Sequence, residues 1–460
     1  MNRHTTVFAG LASAGALLLS GCTADTGTTT ASTVADGATS AVAASSDTGA
    51  VAELTYADLG IAEADLSVDL ASAVDVVLAD GGSHGGSDVS VAGDVVTITA
   101  AGVYRVQGAL SSGSLVVDAS DGVVNLVLDG VDITAADVAA ITVVDAEQVV
   151  VWLADGSDNV LADAVGAAVD ETAEDVVNAI LFSTSDLWIA GDGALSVTAH
   201  AADGITSKDT LVIAGGDLTV DAADDGVRGK DHLVITAGTL AVSAGGDGLR
   251  SDNEAVTEDA DAAVGVVWID GGTLDLTAGS DAVDAVRQVT VTAGDLTIAA
   301  GDDGLHSDNV LRIDGGTVDI TGSYEGIEGA YMILSGGDVS VVATDDGINV
   351  AGGVEELTSS TGAAAGGMRP RGPGGLAPDS QFTSSAAVED ITSLTVSAMV
   401  GSGFGGPAEG ANGTRFLEFS GGTYVVDTMS DGVDVNGQMV MTGGTLVISG
   451  TDDTRNGALD

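Results

Sequence analysis

The sequence has little of several residue types, and each scarcity removes a class of protein. Its single cysteine, Cys22, rules out a disulfide within the chain. Only 12 Lys and Arg stand against 69 Asp and Glu, which gives a formal net charge of -57. A field of this sign repels phosphate, so it excludes nucleic acid and anionic membrane surfaces as partners and favours cations, or ligands carried by cations.

Intrinsic disorder is excluded for most of the chain by its aliphatic content. Disordered acidic chains lack aliphatic residues, whereas 45% of this sequence is hydrophobic. Val, Ile, Leu and Ala fill short runs that Gly and Asp separate, a pattern typical of many short strands.

The N-terminus has the pattern of an export signal. Arg3 and His4 precede an apolar stretch from Val7 to Leu19, which is too short for a comfortable transmembrane helix. The following Leu-Ser-Gly-Cys, ending at Cys22, resembles the lipobox of bacterial lipoproteins, whose cysteine is lipidated. We therefore expect an exported protein that is anchored to the outer face of the bacterial cell membrane and contacts the membrane only through its lipid. A structural or incidental Cys22 is the alternative.

A unit of about 22 residues repeats along the chain. Each copy reads apolar-x-apolar, a Gly pair or Ala-Gly, apolar-x-apolar, then Asp-Gly and another apolar residue, as in IDGGTVDI at 313–320. The alternation predicts strands with one face inward, and a fixed period means copies of one unit stacked on each other. The fold class that we predict is all-β, a right-handed parallel β-helix with 22-residue rungs. The second glycine of these units falls at 216, 238, 272, 294, 316, 337, 422 and 444.

The same patterns divide the chain. All four prolines lie in one Gly-rich and Ser-rich interruption of the repeat, which predicts a large inserted loop there. The predicted segments are a lipoprotein signal peptide at 1–22, a disordered tether at 23–50, an ambiguous lead-in at 51–74, the β-helix at 75–353, the inserted loop at 354–415 and the final rungs at 416–460.

A period of 22 places equivalent residues above one another, and one such column is acidic. Two carboxylates at the strand spacing of about 4.8 Å repel by roughly 3.5 kcal/mol at an effective dielectric near 20. Solvation, shifted protonation or bound hard cations such as calcium would relieve that repulsion. We call this set the acidic column: Asp203, Asp225, Asp247, Asp281, Asp303, Glu325, Asp346, Asp431 and Asp453.

Two interpretations of the acidic column stay open, turn formation alone and turn formation with calcium at some rungs. An EF-hand is excluded because DAADDG at 221–226 lacks an oxygen-bearing side chain at its third position. The RTX nonapeptide is excluded because the repeat is not nine residues long. The candidate calcium ligands form two groups, Asp203, Asp224, Asp225 and Asp247 in the first, and Asp281, Asp284, Asp302, Asp303 and Glu325 in the second.

Four of the few basic residues gather on three neighbouring rungs. They either offset the acidic column or grip the carboxylates and hydroxyls of a sugar chain. These residues are the chain's only lysines, Lys208 and Lys230, together with Arg228 and Arg250.

Two tryptophans share a third column, at the outward middle position before the Gly pair. Trp188 and Trp268 are three rungs apart, or roughly 14 Å at strand spacing. They either stack on sugar rings or are covered by a loop.

Three consecutive phrases resemble the exported bacterial carbohydrate-binding β-helix family of the clostridial polysaccharide-binding type. They are DGITSKDTLVIAGG at 203–216, DDGVRGKDHL at 224–233 and GGDGLRSDN at 245–253. The resemblance covers roughly 85–353 and resumes at 416. It implies binding of plant polysaccharides, including acidic ones, with calcium in the solenoid and a fold similar to polysaccharide lyase family 9. Arg250 stands where that family often has Lys, and Asp281-Ala282 departs from its Asp-Gly pattern.

Three functions follow, in order of preference. The first is a non-catalytic, monomeric surface lipoprotein that binds polysaccharide with calcium as cofactor. The second is a calcium-dependent lyase in which Lys208 or Lys230 removes a proton, although we expect lysines among so many carboxylates to have raised pKa values, which argues against this. The third is a structural or adhesive solenoid.

Overall fold

A computed structural model describes residues 54–61, 64, 66–135, 137–169, 176–254, 263–352, 392–394, 399–402, 415–450 and 457–459. The predicted signal peptide with Cys22, the tether and most of the predicted inserted loop lie outside these residues. The described part of the chain is all-β, and most of its strands pair in parallel. This confirms the all-β prediction.

In the described parts of the chain, thirty strands make up one hydrogen-bonded sheet. In chain order they are β1 (Val74–Leu78), β2 (Val89–Ala92), β3 (Val95–Ile98), β4 (Gly102–Leu110), β5 (Ser114–Ala135), β6 (Ile141–Leu153), β7 (Asp158–Asp163), β8 (Ala179–Ser183), β9 (Leu187–Gly191), β10 (Ala194–Ala199), β11 (Asp203–Ser207), β12 (Thr210–Ala222), β13 (Val227–Gly229), β14 (His232–Ala244), β15 (Leu249–Ser251), β16 (Val266–Ala278), β17 (Val283–Ala285), β18 (Gln288–Ala300), β19 (Leu305–Ile313), β20 (Thr317–Ser323), β21 (Ile327–Leu334), β22 (Asp338–Ala343), β23 (Ile348–Val350), β24 (Thr392–Leu394), β25 (Met399–Ser402), β26 (Phe416–Phe419), β27 (Thr423–Thr428), β28 (Val433–Val435), β29 (Gln438–Met441) and β30 (Thr445–Ser449).

Helical structure is slight. Two 3-10 helices, Tyr56–Leu59 and Leu70–Ser72, precede the first strand, and the described residues contain no α-helix. Within those residues, none of the helical segments has the length and apolar character to span a bilayer.

The glycine period sets the strand register. β12 pairs with β14 so that Leu211 lies beside Leu233 and Leu218 beside Leu240, an offset of 22 positions in each case. β16 and β18 keep this offset. Between β14 and β16 the offset is 34, because extra residues follow Asn253.

Alternation directs one side of each strand inward. Along β12, Leu211, Ile213, Leu218 and Val220 are buried in one continuous apolar core that runs through the stack. Each fully buried aliphatic side chain of this kind contributes roughly 1.5–3 kcal/mol. The turn between the two halves of each long strand needs glycine, since Gly238 has φ +101° and an added Cβ would lie 2.9 Å from a backbone oxygen of the preceding turn.

The lead-in covers the outward face of β9, β12, β14 and β16. Leu54 and Leu59 pack with Trp188 and Trp268, which are only 7% and 8% exposed. Tyr56 adds an edge-to-face contact at 5.8 Å from the Trp268 ring. Of the two interpretations of these tryptophans, covering by another segment describes the structure, so neither offers a free face to a sugar ring.

A polar clamp holds the lead-in in place. The buried side chain of Gln288 accepts a hydrogen bond from Leu54 N at 3.1 Å and donates one to Leu54 O at 3.2 Å. The same amide donates to Thr290 Oγ1 at 2.8 Å. These hydrogen bonds thus fix the lead-in backbone over the outward apolar side chains of the strands that it covers.

Antiparallel strands flank the parallel stack. Near its start, β2 and β3 form a hairpin. Near its end, β24 and β25 of the predicted inserted loop pair in antiparallel fashion with β30 and β29. The final strands β26, β27 and β28 continue the parallel register from β21, β22 and β23.

Candidate functional site

The acidic column lies at the start of the short strands β11, β13, β15, β17 and β19, and it is a hydrogen-bonded ladder. One oxygen of Asp203, Asp225, Asp247 and Asp281 accepts the backbone N–H of the next column residue, as from Asp247 N to Asp225 Oδ1 at 2.9 Å and from Asp303 N to Asp281 Oδ1 at 2.8 Å. The second oxygen of each of these four carboxylates is left for other partners. Turn formation is therefore a real role of the column, made across rungs instead of within one turn.

Burial of the column changes its protonation. Asp203 is 1% exposed, and burial, followed by the charge of Asp225, raises its pKa to about 7. The same two causes raise the pKa of Asp247 to about 7, and burial and Asp281 raise that of Asp303 to about 8. The column can therefore relieve part of its repulsion by binding protons near neutral pH.

Arginines lie beside the first three residues of the column. We call this region, residues 203–252, the arginine rungs. Arg250 Nη1 lies 3.1 Å from Asp225 Oδ2 and 3.0 Å from Asp247 Oδ2. Arg228 makes a two-point contact with Asp252, with nitrogen to oxygen distances of 3.0 and 2.6 Å. Two guanidinium groups thus stand beside three carboxylates of the first predicted calcium group, and its fourth member, Asp224, is exposed.

A small pocket of about 180 Å³ opens beside these rungs. Asn178, Lys208, Asp224 and Arg228 provide its polar lining. The Lys208 ammonium lies 5.9 Å from the centre of the Phe182 ring, within cation–π range. Among the described residues, no carboxylate forms an ion pair with Lys208 or Lys230, and the buried Oδ1 of Asn178 has no hydrogen-bond partner.

The pKa of Lys208 is lowered, which corrects our expectation of a raised value. Burial is the main cause, and the positive charges of Arg228 and Lys230 act in the same direction. The carboxylates of Asp203 and Asp252 oppose the shift but do not reverse it. The sequence showed the acidic surroundings but not that burial and two neighbouring cations outweigh them.

His306 lies beside the middle of the acidic column. Its Nδ1 lies 2.8 Å from Asp284 Oδ1 and 3.8 Å from Asp281 Oδ2. These carboxylates outweigh burial and raise the pKa of His306 to about 10, so the ring is an imidazolium at neutral pH. The three side chains lie within metal-binding distance of one another, but calcium takes oxygen ligands, so a trio that includes an imidazole matches it less well than an all-oxygen group.

Residues 303–349, which hold the column members Asp303, Glu325 and Asp346, are different, and we call this region the glutamate rungs. Carboxylate oxygens of Asp303, Glu325 and Glu328 all lie within 4.8 Å of one another. Burial and a hydrogen bond to Glu328 raise the pKa of Glu325. The side chain of Asn349 is buried, with 8% exposure, and its Nδ2 donates a hydrogen bond to Glu325 Oε2 at 2.7 Å. Its own buried Oδ1 has no hydrogen-bond partner among the described residues. Three carboxylates and an amide form the all-oxygen donor set that calcium prefers.

The structure separates the second predicted calcium group. Asp281 and Asp284 belong with His306, Asp303 and Glu325 belong with Glu328, and Asp302 is exposed beside the column. Sequence reasoning missed Glu328, His306 and Asn349. All three stand at the position of Arg228 and Arg250 in the middle of the short strands, so reading that column as well would have found them.

A family model and a curated relative that match the chain carry the same description. The chain matches the family model described as "Carbohydrate-binding domain-containing protein" over residues 92–355 and 300–454. A curated protein of the same description from Acetivibrio thermocellus is 39% identical over 135 residues, which are 29% of this chain and 47% of the relative. The chain thus spans about half the length of that relative. A solved structure described as the polysaccharide lyase-like protein from C. thermocellum, a gadolinium derivative, is 33% identical, with 52% of this chain and 96% of that chain covered and a TM-score of 0.49.

Proposed function

Because the chain belongs to the family of carbohydrate-binding domain-containing proteins, we propose that it binds an acidic, uronate-containing polysaccharide without cleaving it. The observation that carries this proposal is the pocket of Lys208, Arg228 and Asn178, in which the lysine forms no ion pair with a described carboxylate. A chain with a net charge of -57 repels an acidic glycan unless cations receive it. Lys208 and Arg228 would bind the uronate carboxylate, with Lys230 and Arg250 on the adjoining rungs.

The scaffold of this function is a right-handed parallel β-helix with 22-residue rungs. Its support is the 22-position offset of the paired strands and the strong preference of parallel crossover connections for the right hand. The lipobox-like sequence at Cys22 supports an exported, lipid-anchored monomer that displays this scaffold at the cell surface.

Calcium is the proposed cofactor, at the glutamate rungs. Asp303, Glu325 and Glu328 would hold it, with Asn349 as a further oxygen donor. When bound there, the ion would neutralise repulsion among carboxylates that otherwise have to share protons. The arginine rungs need no such ion, since guanidinium groups already pair with their carboxylates.

Isothermal titration of polygalacturonate into the protein tests the acidic-glycan proposal. We expect the Lys208→Met variant to bind at least tenfold more weakly, and binding of the unmodified protein to weaken as salt rises. Arg105→Gln is the matched control, because it removes one positive charge at a distant pair with Asp129. Equal binding by the Lys208 variant and the control would contradict the proposal, and failure to bind any glycan would favour the structural or adhesive function.

A lyase is the second candidate, and the lowered pKa of Lys208 favours it. A neutral amine could remove the proton on the carbon next to a uronate carboxylate. Electrons of the broken C–H bond would form a carbon–carbon double bond as the glycosidic oxygen leaves. Sustained growth of the unsaturated product's absorbance, abolished by Lys208→Met, would replace the non-catalytic proposal with this one.

A further inference from the structure

A larger cleft of about 390 Å³ lies away from the charged short strands. It is bounded by Leu66 of the lead-in, by Trp152 and by the turns at 190–192, 214–217 and 237–239. Its volume falls in the range of small-molecule sites, roughly 300–1,000 Å³. Three stacked turns span two strand spacings, or about 10 Å.

Trp152 differs from the other two tryptophans of the chain. Trp188 and Trp268 are buried under the lead-in, whereas Trp152 is partly exposed and lines the cleft. Its neighbour in register on the next rung is Ala190, whose small side chain leaves the ring uncovered on that side. A tryptophan at the wall of an open cleft offers the apolar, polarisable face against which a sugar ring can pack.

The floor of the cleft is nearly free of side chains. Gly191, Gly215, Gly216 and Gly238 line it. Their close stacking explains the glycines, since a Cβ on Gly191 would lie 2.2 Å from Leu153 O. Peptide groups therefore form much of the lining of the cleft, together with the Trp152 side chain.

The charge of the rim selects the ligand. Asp192 and Asp217 are exposed at the cleft, and no Lys, Arg or His is among the described residues that line it. Two carboxylates repel a uronate but accept hydrogen bonds from sugar hydroxyls. The cleft therefore suits an uncharged glycan, in contrast to the basic pocket of Lys208.

We propose that this cleft is a second carbohydrate subsite, in which Trp152 stacks on a pyranose ring of a neutral polysaccharide and Asp192 and Asp217 accept hydrogen bonds from its hydroxyls. The inference rests on the proposed function only in that it takes the chain to bind carbohydrate. It adds a site, a residue and a ligand class that the basic pocket does not provide.

Tryptophan fluorescence with a soluble, uncharged β-glucan tests the subsite. We expect the glucan to shift the emission to shorter wavelength, and Trp152→Ala to lose this response and to bind at least tenfold more weakly. Trp152→Phe, which keeps an aromatic ring, should bind with intermediate strength, and Trp188→Phe is the matched control that should bind like the unmodified protein. Circular dichroism shows whether each variant is folded, and if Trp152→Ala is not, Trp152→Phe decides the test.

The outcomes of this experiment separate the two proposals. Loss of glucan binding in the Trp152 variants with polygalacturonate binding intact supports the subsite. Polygalacturonate binding without any glucan binding overturns the subsite and leaves the acidic-glycan proposal standing. Glucan binding that survives in both Trp152 variants also overturns it, whatever the Lys208→Met variant does.

Discussion

The arginine rungs and the glutamate rungs share one backbone and one acidic column, yet they neutralise it in different ways. In both, a buried or half-buried carboxylate stands just ahead of the outward position, as Asp225 precedes β13 by two residues and Glu325 precedes β21 by two. The next outward side chain is Arg228 or Arg250 in the first region and Glu328 or Asn349 in the second. The arginine rungs thus supply the positive charges that neutralise their carboxylates. The glutamate rungs instead add negative charge and bring oxygen donors together.

This difference teaches where to place function on a repeat. The column that repeats most regularly performs the structural task, because its oxygens accept backbone N–H groups from rung to rung. The column beside it varies from cation to anion, and that variation decides which ligand a rung could take. The ligand of a rung is therefore best predicted from the variable position beside the acidic column.

The largest effect should come from removing the cation of the arginine rungs. We expect Arg250→Met to lower the free energy of unfolding by about 3–5 kcal/mol, because Asp225 and Asp247 are buried and lose the cation that pairs with them. Chemical denaturation followed by circular dichroism measures it. A loss below about 1 kcal/mol would mean that proton binding by the column replaces the arginine.

Calcium should stabilise the glutamate rungs and not the arginine rungs. At a hundredfold excess over its dissociation constant, one ion adds about 2.7 kcal/mol to the free energy of unfolding. We expect Glu328→Gln to lose this gain and Asp284→Asn, a carboxylate-to-amide control in the His306 trio, to keep it. Thermal unfolding with calcium and with chelator checks both, and a curve that chelator leaves unchanged would remove the calcium proposal.

Converting one region into the other is a sharper test of the comparison. Glu328→Arg places a guanidinium beside Asp303 and Glu325, as Arg250 stands beside its own carboxylates. We expect it to abolish stabilisation by calcium and to raise the calcium-free stability by about 1.5 kcal/mol or more. A less stable variant that still responds to calcium would show that the two regions are not equivalent.

A smaller and more gradual change in stability is expected as pH is varied. Burial raises the pKa of Asp203 and Asp247 to about 7 and that of Asp303 to about 8, above the ordinary 3.8. A carboxyl whose pKa is raised by folding stabilises the fold fully below pH 3.8 and loses that contribution as pH rises through the folded value. Melting temperature in chelator should therefore fall between pH 5 and pH 8.5, and Asp203→Asn should reduce the slope. A melting temperature that climbs over this interval would show the column to be ionised in the fold.

The smallest effect is expected outside both regions. Arg105 pairs with Asp129, but its side chain is 44% exposed. Arg105→Gln should change the free energy of unfolding by less than about 1 kcal/mol. A loss as large as that of Arg250→Met would mean that burial does not distinguish the two arginines.

The regularity of the sequence explains what could be predicted. Glycines spaced by 22 and alternating aliphatic residues gave the parallel strands and placed Asp203, Asp225 and Asp247 in one column, as the register shows. The segment that covers Trp188 and Trp268 could not be identified from the sequence, because the lead-in lies far from them along the chain and does not repeat. The assignment of Asp281 and Asp303 to two different groups of side chains depends on His306 and Glu328, which lie outside the acidic motif.

The hydrogen bonds between Leu54 and Gln288 also constrain the order in which the chain folds. These residues are 234 positions apart, so the lead-in cannot dock until β18 has been made and stacked. Contacts of such separation form late in folding, after local rungs have assembled. During synthesis, the apolar face that carries Trp188 and Trp268 therefore stays uncovered until well over half of the chain has emerged, and a chain that stops earlier would present that face to its neighbours.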